Sequence, residues 1–184
     1  DDYVEKLQKE YLFLSQKFQL KPIDAHLWKM LRLRPENFPY VRLAQFSSLV
    51  FKSSHLFSKI LENNKMDELY NLFQMEVSSY WKTHYVFGKE SKTSSKKLSK
   101  SSIDILLINV VVPMLFAYGK YHNELEFCER ALYFLEEIKP ESNAIVSHFS
   151  SLNFEITSAY DSQAIIQLKQ HYCDKKDCLR CRFA

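Results

Sequence analysis

The residues best suited to chemistry stand together in His171-Tyr172-Cys173-Asp174-Lys175-Lys176-Asp177-Cys178-Leu179-Arg180-Cys181. Cysteine thiolates are soft ligands for zinc and iron–sulfur clusters, and a two-residue gap lets two of them grip one ion from a turn. A four-residue gap followed by a two-residue gap, at the end of a helical pattern and flanked by lysine and arginine, marks Cys173, Cys178 and Cys181 as candidate metal ligands. Neighbouring cations favour the thiolate that a metal needs. Tetrahedral zinc takes four ligands, and His171 is the candidate fourth. Zinc is the expected cofactor, ahead of an iron–sulfur cluster, with the three sulfurs converging to within about 4 Å of one another. The same three residues also read as reduced or disulfide-paired thiols. Cys128, at helical spacing with Leu125, Leu132 and Leu135, reads as a core cysteine.

A second set is basic. Residues 89–100 carry five lysines and one glutamate, and the last sixteen residues carry five basic and two acidic groups, so a net charge of +3 leaves −4 on the rest of the chain. Local basic patches on a mildly acidic body suit a polyanion. Arg32, Arg34 and Arg42, beside Asn37 and Gln45 and among Trp28 and Phe38, have the composition that grips phosphates and stacks a base; Lys96 and Lys97 would add to it. The competing reading makes Trp28 and Phe38 core anchors, with the arginines on carbonyls and on Glu36. The block Tyr80-Trp81-Lys82-Thr83-His84-Tyr85 reads either as a pocket wall or as core and rim.

Catalytic signatures are missing. No HExxH, no GxSxG and no closely spaced carboxylate pair on an exposed helix face is recognised as catalytic, and His84, His122 and His148 have no obvious nucleophile beside them. The chain has 2 glycines in 184 residues, about 1% where roughly 7% is average. Phosphate-cradling loops and dinucleotide fingerprints need several glycines close together, so both are excluded. Many-stranded architectures with tight hairpins are disfavoured for the same reason.

The elements that must position these groups are therefore helices. Apolar residues recur at helical spacing over 2–19, 41–50, 56–61, 69–80, 123–138 and 158–172, with shorter pieces from Asp24 and over 142–150. Residues 82–100 break the period and are expected to form one long, mobile basic loop. The run from Ile103 to Tyr118 contains Asp104, Asn109 and Pro113, too interrupted for a membrane span, and reads as a buried central helix bent at Pro113. The expected fold is all-α: a single-domain bundle of seven or eight helices over 1–184, with a basic loop at 82–100 and a cysteine-rich stretch at 171–184. Cysteine usage without a secretory signal points to a cytoplasmic protein with no membrane partner. Opening on Asp1-Asp2 inside an amphipathic pattern, the chain reads as a fragment of a longer protein.

Four blocks carry a family resemblance: LWKMLRLRPENFPYVRLAQ, YWKTHYVFG, INVVVPMLFAYG and SAYDSQAIIQLKQHYCDKKDCLRCRFA. Together, from about residue 24 onward, they resemble the carboxy-terminal part of the bacterial family called domain of unknown function 2851. The family pattern has glycine near Ser99, threonine near Val110 and Ile-Gly in place of Phe183-Ala184. The resemblance implies a protein about twice as long, whose β-rich amino-terminal half resembles a restriction-endonuclease-like core and would hold any catalytic acids. The expected role is a non-catalytic helical accessory domain of a larger cytoplasmic protein, partnered by that nuclease-like half and associated with nucleic acid. The alternatives are a helical interaction module without nucleic-acid affinity or metal, and an iron–sulfur or redox domain.

Overall fold

The computed structural model describes residues 1–183. Helix accounts for 65% of the chain and strand for 3%, so the fold is all-α. It divides into two compact units: Asp1–Leu56 with Asn71–Leu98, and Phe57–Tyr70 with Ser99 onward.

In the first unit, helix α1 (Asp2–Phe18) starts where the Asp1 carboxylate accepts from the Tyr3 backbone N–H. It ends at Gln19 in the left-handed region, with the Leu20 N–H turned back to the Ser15 carbonyl. The piece expected from Asp24 is a single 3-10 turn, Ala25–Leu27, and a second turn, Pro35–Asn37, leads into α2 (Pro39–Lys52). Pro39 sits in the first turn of α2, where its missing N–H costs nothing. Helix α3 (Leu56–Glu62) falls in the second unit but for its first residue. The helix expected through Leu69 to Tyr80 comes as two: α4 (Met66–Phe73), which the division between the units crosses after Tyr70, and α5 (Ser79–Thr83) in the first unit. Met75 and Val77 in the link between them are buried, so the period continues in burial although the backbone does not. The core of this unit joins Ala44, Val77 and Trp81, with Tyr3, Tyr40 and Tyr80 packed around them.

Residues 82–100 are not one loose loop. β1 (His84–Val86) pairs antiparallel with β2 (Lys89–Glu90), and Gly88 supplies the positive φ of the turn, +68°. The stretch beyond is tied down: Ser91 and Ser94 donate backbone N–H bonds to the Thr83 and Lys82 carbonyls at 2.7 and 2.9 Å. A mobile loop was expected because lysines among serines bury no apolar area; here one lysine goes inward instead.

The second unit is built on α6 (Lys100–Leu106) and α7 (Val112–His122), joined without a break through a π turn, Leu107–Val111. The π turn lies immediately before Pro113, and helical bonding continues past the proline to His122. Ile103, Leu107, Val111 and Leu115 form a fully buried stripe, so this is the central helix of its unit. By length and composition Lys100–His122 could also cross a membrane. Helices α8 (Leu125–Glu137), α9 (Ala144–Ser151) and α10 (Ala159–Leu168) complete the unit, and α10 runs on through a second π turn, Lys169–Cys173. Gly119 lets α7 and α8 touch: a Cβ there would stand 2.8 Å from the Glu124 carbonyl oxygen and 2.9 Å from the Cys128 sulfur. Cys128 is buried against it, as a core cysteine should be.

Candidate functional sites

Helix α2 carries one continuous stripe, Tyr40, Leu43, Ala44, Ser47, Ser48 and Phe51, at spacings of three and four residues. With Tyr3 and Leu7 of α1 and with Trp81 and Phe87, it walls a cleft of about 450 Å³, within the range of ligand-sized pockets. The floor is rigid. Trp81 donates from its indole N–H to the Tyr3 hydroxyl at 3.0 Å, Tyr3 stacks on Tyr80 at 4.1 Å, and Tyr80 stacks on His84 at 3.9 Å. The Tyr80 hydroxyl donates to Asp1 at 2.8 Å and accepts from the Gly88 N–H at 3.0 Å, so it fastens the start of α1 to the hairpin turn. The mouth is apolar and uncovered, with Phe51 89% exposed.

Of the block from Tyr80 to Tyr85, Trp81 forms cleft wall, while Tyr80 and His84 lie in the stacked layer beside it. The stripe on α2 escaped sequence reading because two of its six positions are serines. Scoring its period with serine admitted would have found it.

The basic residues do not form one patch. Lys96, expected on the surface, is 5% exposed; its ammonium donates to the carbonyls of Trp81 at 2.5 Å and His84 at 2.8 Å, and lies 4.0 Å from the Tyr85 ring centre. Burial holds its pKa below the ordinary lysine value. The ammonium, on a long stem, reaches two buried carbonyls at once. Lys97 pairs with Glu76 at 2.9 Å, and Lys82 pairs with the same carboxylate at 3.1 Å. Hydrogen bonding by Lys97 and Lys82 holds Glu76 down at about 2. Arg42 is spent on Gln45 at 3.0 Å and Asn37 at 2.6 Å, while Arg32 and Arg34 are exposed.

In the second unit, Cys173, Cys178 and Cys181 border one cavity, without the convergence of their sulfurs onto a shared ion that was expected. They line a cavity of about 230 Å³ together with Phe149, Phe154, Leu168, Tyr172 and Phe183. All three are free thiols. The π turn carries Cys173, and a 3-10 turn (Cys178–Arg180) closes the two-residue gap, with the Cys181 N–H on the Cys178 carbonyl at 3.1 Å. The Phe183 N–H then points at the Cys181 sulfur, 3.5 Å away. The expected tetrahedral set is not assembled: among the described residues no three His, Cys, Asp or Glu side chains are placed to hold a metal ion. His171 is exposed and does not line the cavity. It stands two residues before Cys173 in the same π turn, outside the cavity wall.

The family described as Protein of unknown function (DUF2851) matches residues 1–144. The chain belongs to that family. The match takes in α1, which the four sequence blocks left aside, and the cleft with it; it stops short of the cysteine cavity. No curated protein and no solved structure matches the chain.

Proposed function

We propose that this chain is a non-catalytic helical interaction module of a larger cytoplasmic protein, and that the aromatic cleft of its first unit receives an apolar segment of a companion domain. The β-rich half implied by the family resemblance is the companion this reading favours. One observation carries it: helix α1 has seventeen residues and buries none, although Leu7, Tyr11 and Phe18 form an apolar stripe that begins in the cleft wall and runs beyond it. Leu20, Ile23, Leu27 and Leu31 are exposed as well, Leu31 at 90%. Apolar patches left to water mark interaction surfaces.

Nucleic acid has less support as the direct ligand, because Lys96, Lys97 and Arg42 are engaged within the protein. Of the five candidate phosphate contacts only Arg32 and Arg34 are not engaged in this way, and any polyanion affinity would fall steeply with salt.

The test compares amide exchange in the 184-residue chain and in the complete gene product. Residues 7–33 and the α2 stripe should exchange or label quickly in the chain alone and become protected in the longer protein. Ser47→Trp, which fills the cleft mouth from an exposed position, should abolish that protection while leaving the chain folded. Equal exchange in both proteins would refute the reading.

A further inference from the structure

The cysteine cavity serves no part of the docking role, and its chemistry is of a different kind. Its eight lining residues offer three thiols, one phenol and an otherwise hydrocarbon wall. Hard cations need several oxygen donors, and the wall supplies none beyond Tyr172. Soft ions need sulfur, which the wall supplies threefold.

We propose that Cys173, Cys178 and Cys181 form a three-thiolate site for a thiophilic divalent ion of the zinc class, its fourth position left to water or an incoming ligand. Three features support this over three thiols that happen to be neighbours. The first is a shared cavity: three cysteines in nine residues line it together, the first at the end of a π turn, the second opening a 3-10 turn, with Lys176 at a φ of +53° in the chain between these two. A lysine in the left-handed region is a strained choice that the turn must require.

The second is preparation for a charged sulfur. The Phe183 N–H is directed at the Cys181 sulfur, a contact of the kind that supports a metal-bound thiolate from outside the ligand set. Phe183 is held for it by an edge-to-face contact with Phe154, which packs in the same way on Phe149. The third is charge. An ion with three thiolates carries one net negative charge, and Lys175, Lys176 and Arg182 stand exposed in the same segment, whereas Asp174 and Asp177 are each paired with a cation, Lys169 and Arg180.

Closing the set requires the sulfurs to rotate onto one point. Cysteine has three staggered χ1 positions, and Cys173 and Cys178 are exposed, so neither is locked by close packing. Each thiol releases its proton to solvent as its sulfur takes the ion, and no electron is transferred.

The test is titration of the reduced, metal-free chain with Co²⁺ and then Zn²⁺. A single Co²⁺ should bind per chain with an intense sulfur-to-cobalt absorption, and Zn²⁺ should displace it, raise Tm and mask three thiols from a thiol reagent. Cys178→Ser should reduce Zn²⁺ affinity by at least about a hundredfold; Cys128→Ser and His171→Ala should leave the band intact. The apo Tm of Cys178→Ser should match wild type, which separates loss of the ligand from loss of the fold. No sulfur-to-cobalt band, a band that survives Cys178→Ser, or a band that depends on His171 would each overturn the proposal. None of these results bears on docking at the cleft.

Discussion

Lys96 is the residue whose replacement tests the packing argument most directly. Lys96→Met keeps the stem and removes the ammonium, leaving the carbonyls of Trp81 and His84 buried without the donor that now lies 2.5 and 2.8 Å from them. An unsatisfied buried acceptor costs about 1–3 kcal/mol, and the lost contact with Tyr85 about 1 more. Against this stands relief from burying a charge with no carboxylate beside it, which is the reason its pKa lies below the ordinary 10.5. The net loss expected is about 2 kcal/mol, or a Tm lower by about 4–8 °C for a chain of this length. The pH dependence has a definite sign. Between the lowered folded value and 10.5 the unfolded chain binds more protons than the folded one, so stability attributable to this residue rises with pH across that window. Calorimetry of wild type and Lys96→Met at about pH 7 and about pH 10 should therefore show the gap between them widening, because other groups cancel in the difference. Amide exchange at Ser91 and Ser94 should accelerate in the variant. Unchanged Tm, or a gap that narrows toward high pH, would refute the reasoning.

Gly119→Ala should destabilise the second unit by about 1–3 kcal/mol, since the added methyl meets a backbone oxygen at 2.8 Å; thermal melts showing a gain from better helix propensity would contradict the close approach. Asp161 accepts N–H bonds from Thr157 at 2.9 Å and Ser158 at 3.0 Å in the capping box of α10, and these hold its pKa below 3.8. Its contribution is present above 3.8 and disappears as pH falls through the lower folded value, so acid melts of wild type and Asp161→Ala should converge there, from a difference of about 1 kcal/mol at neutral pH. Carbon-detected titration should place Glu76 near 2, and Lys97→Met should move it upward, because the Lys97 hydrogen bond is the largest cause of the depression.

What could be read from the residues alone follows from how local each signal is. Helices α1, α2 and α8 show their period within their own sequence, and Pro39, Asn143 and Ser158 act at helix starts through contacts a few residues long. Scarcity of glycine pointed to helix, and one of the two glycines, Gly88, went to the only tight hairpin among the described residues. The division of the helix expected over 69–80 was not visible, because Met75 and Val77 keep the apolar rhythm through a non-helical link. The fate of Lys96 was equally hidden. Which lysine of five turns inward depends on carbonyls of Trp81 and His84, fifteen and twelve residues away, and local composition treats all five alike.

The two candidate sites differ in the same way. Three cysteines in eleven residues point to a common ion; they line one cavity but are not placed to hold an ion together, and His171, inside the π turn at the end of α10, does not line it. The cleft is non-local. Its walls come from residues 3–7, 40–51, 78–81 and 87, and Tyr3, Tyr80 and Trp81 must stack before any of them faces its partners. A helix as amphipathic as α1 would be expected to bury its apolar stripe, yet only its first two turns reach a wall. Burying one leucine-sized side chain is worth about 1.5–3 kcal/mol, so the exposed Leu7, Tyr11 and Phe18 of α1 represent a burial energy that this chain by itself does not realise. That unrealised burial makes docking the best-supported role for the first unit, and it gives the exchange comparison a signal large enough to decide.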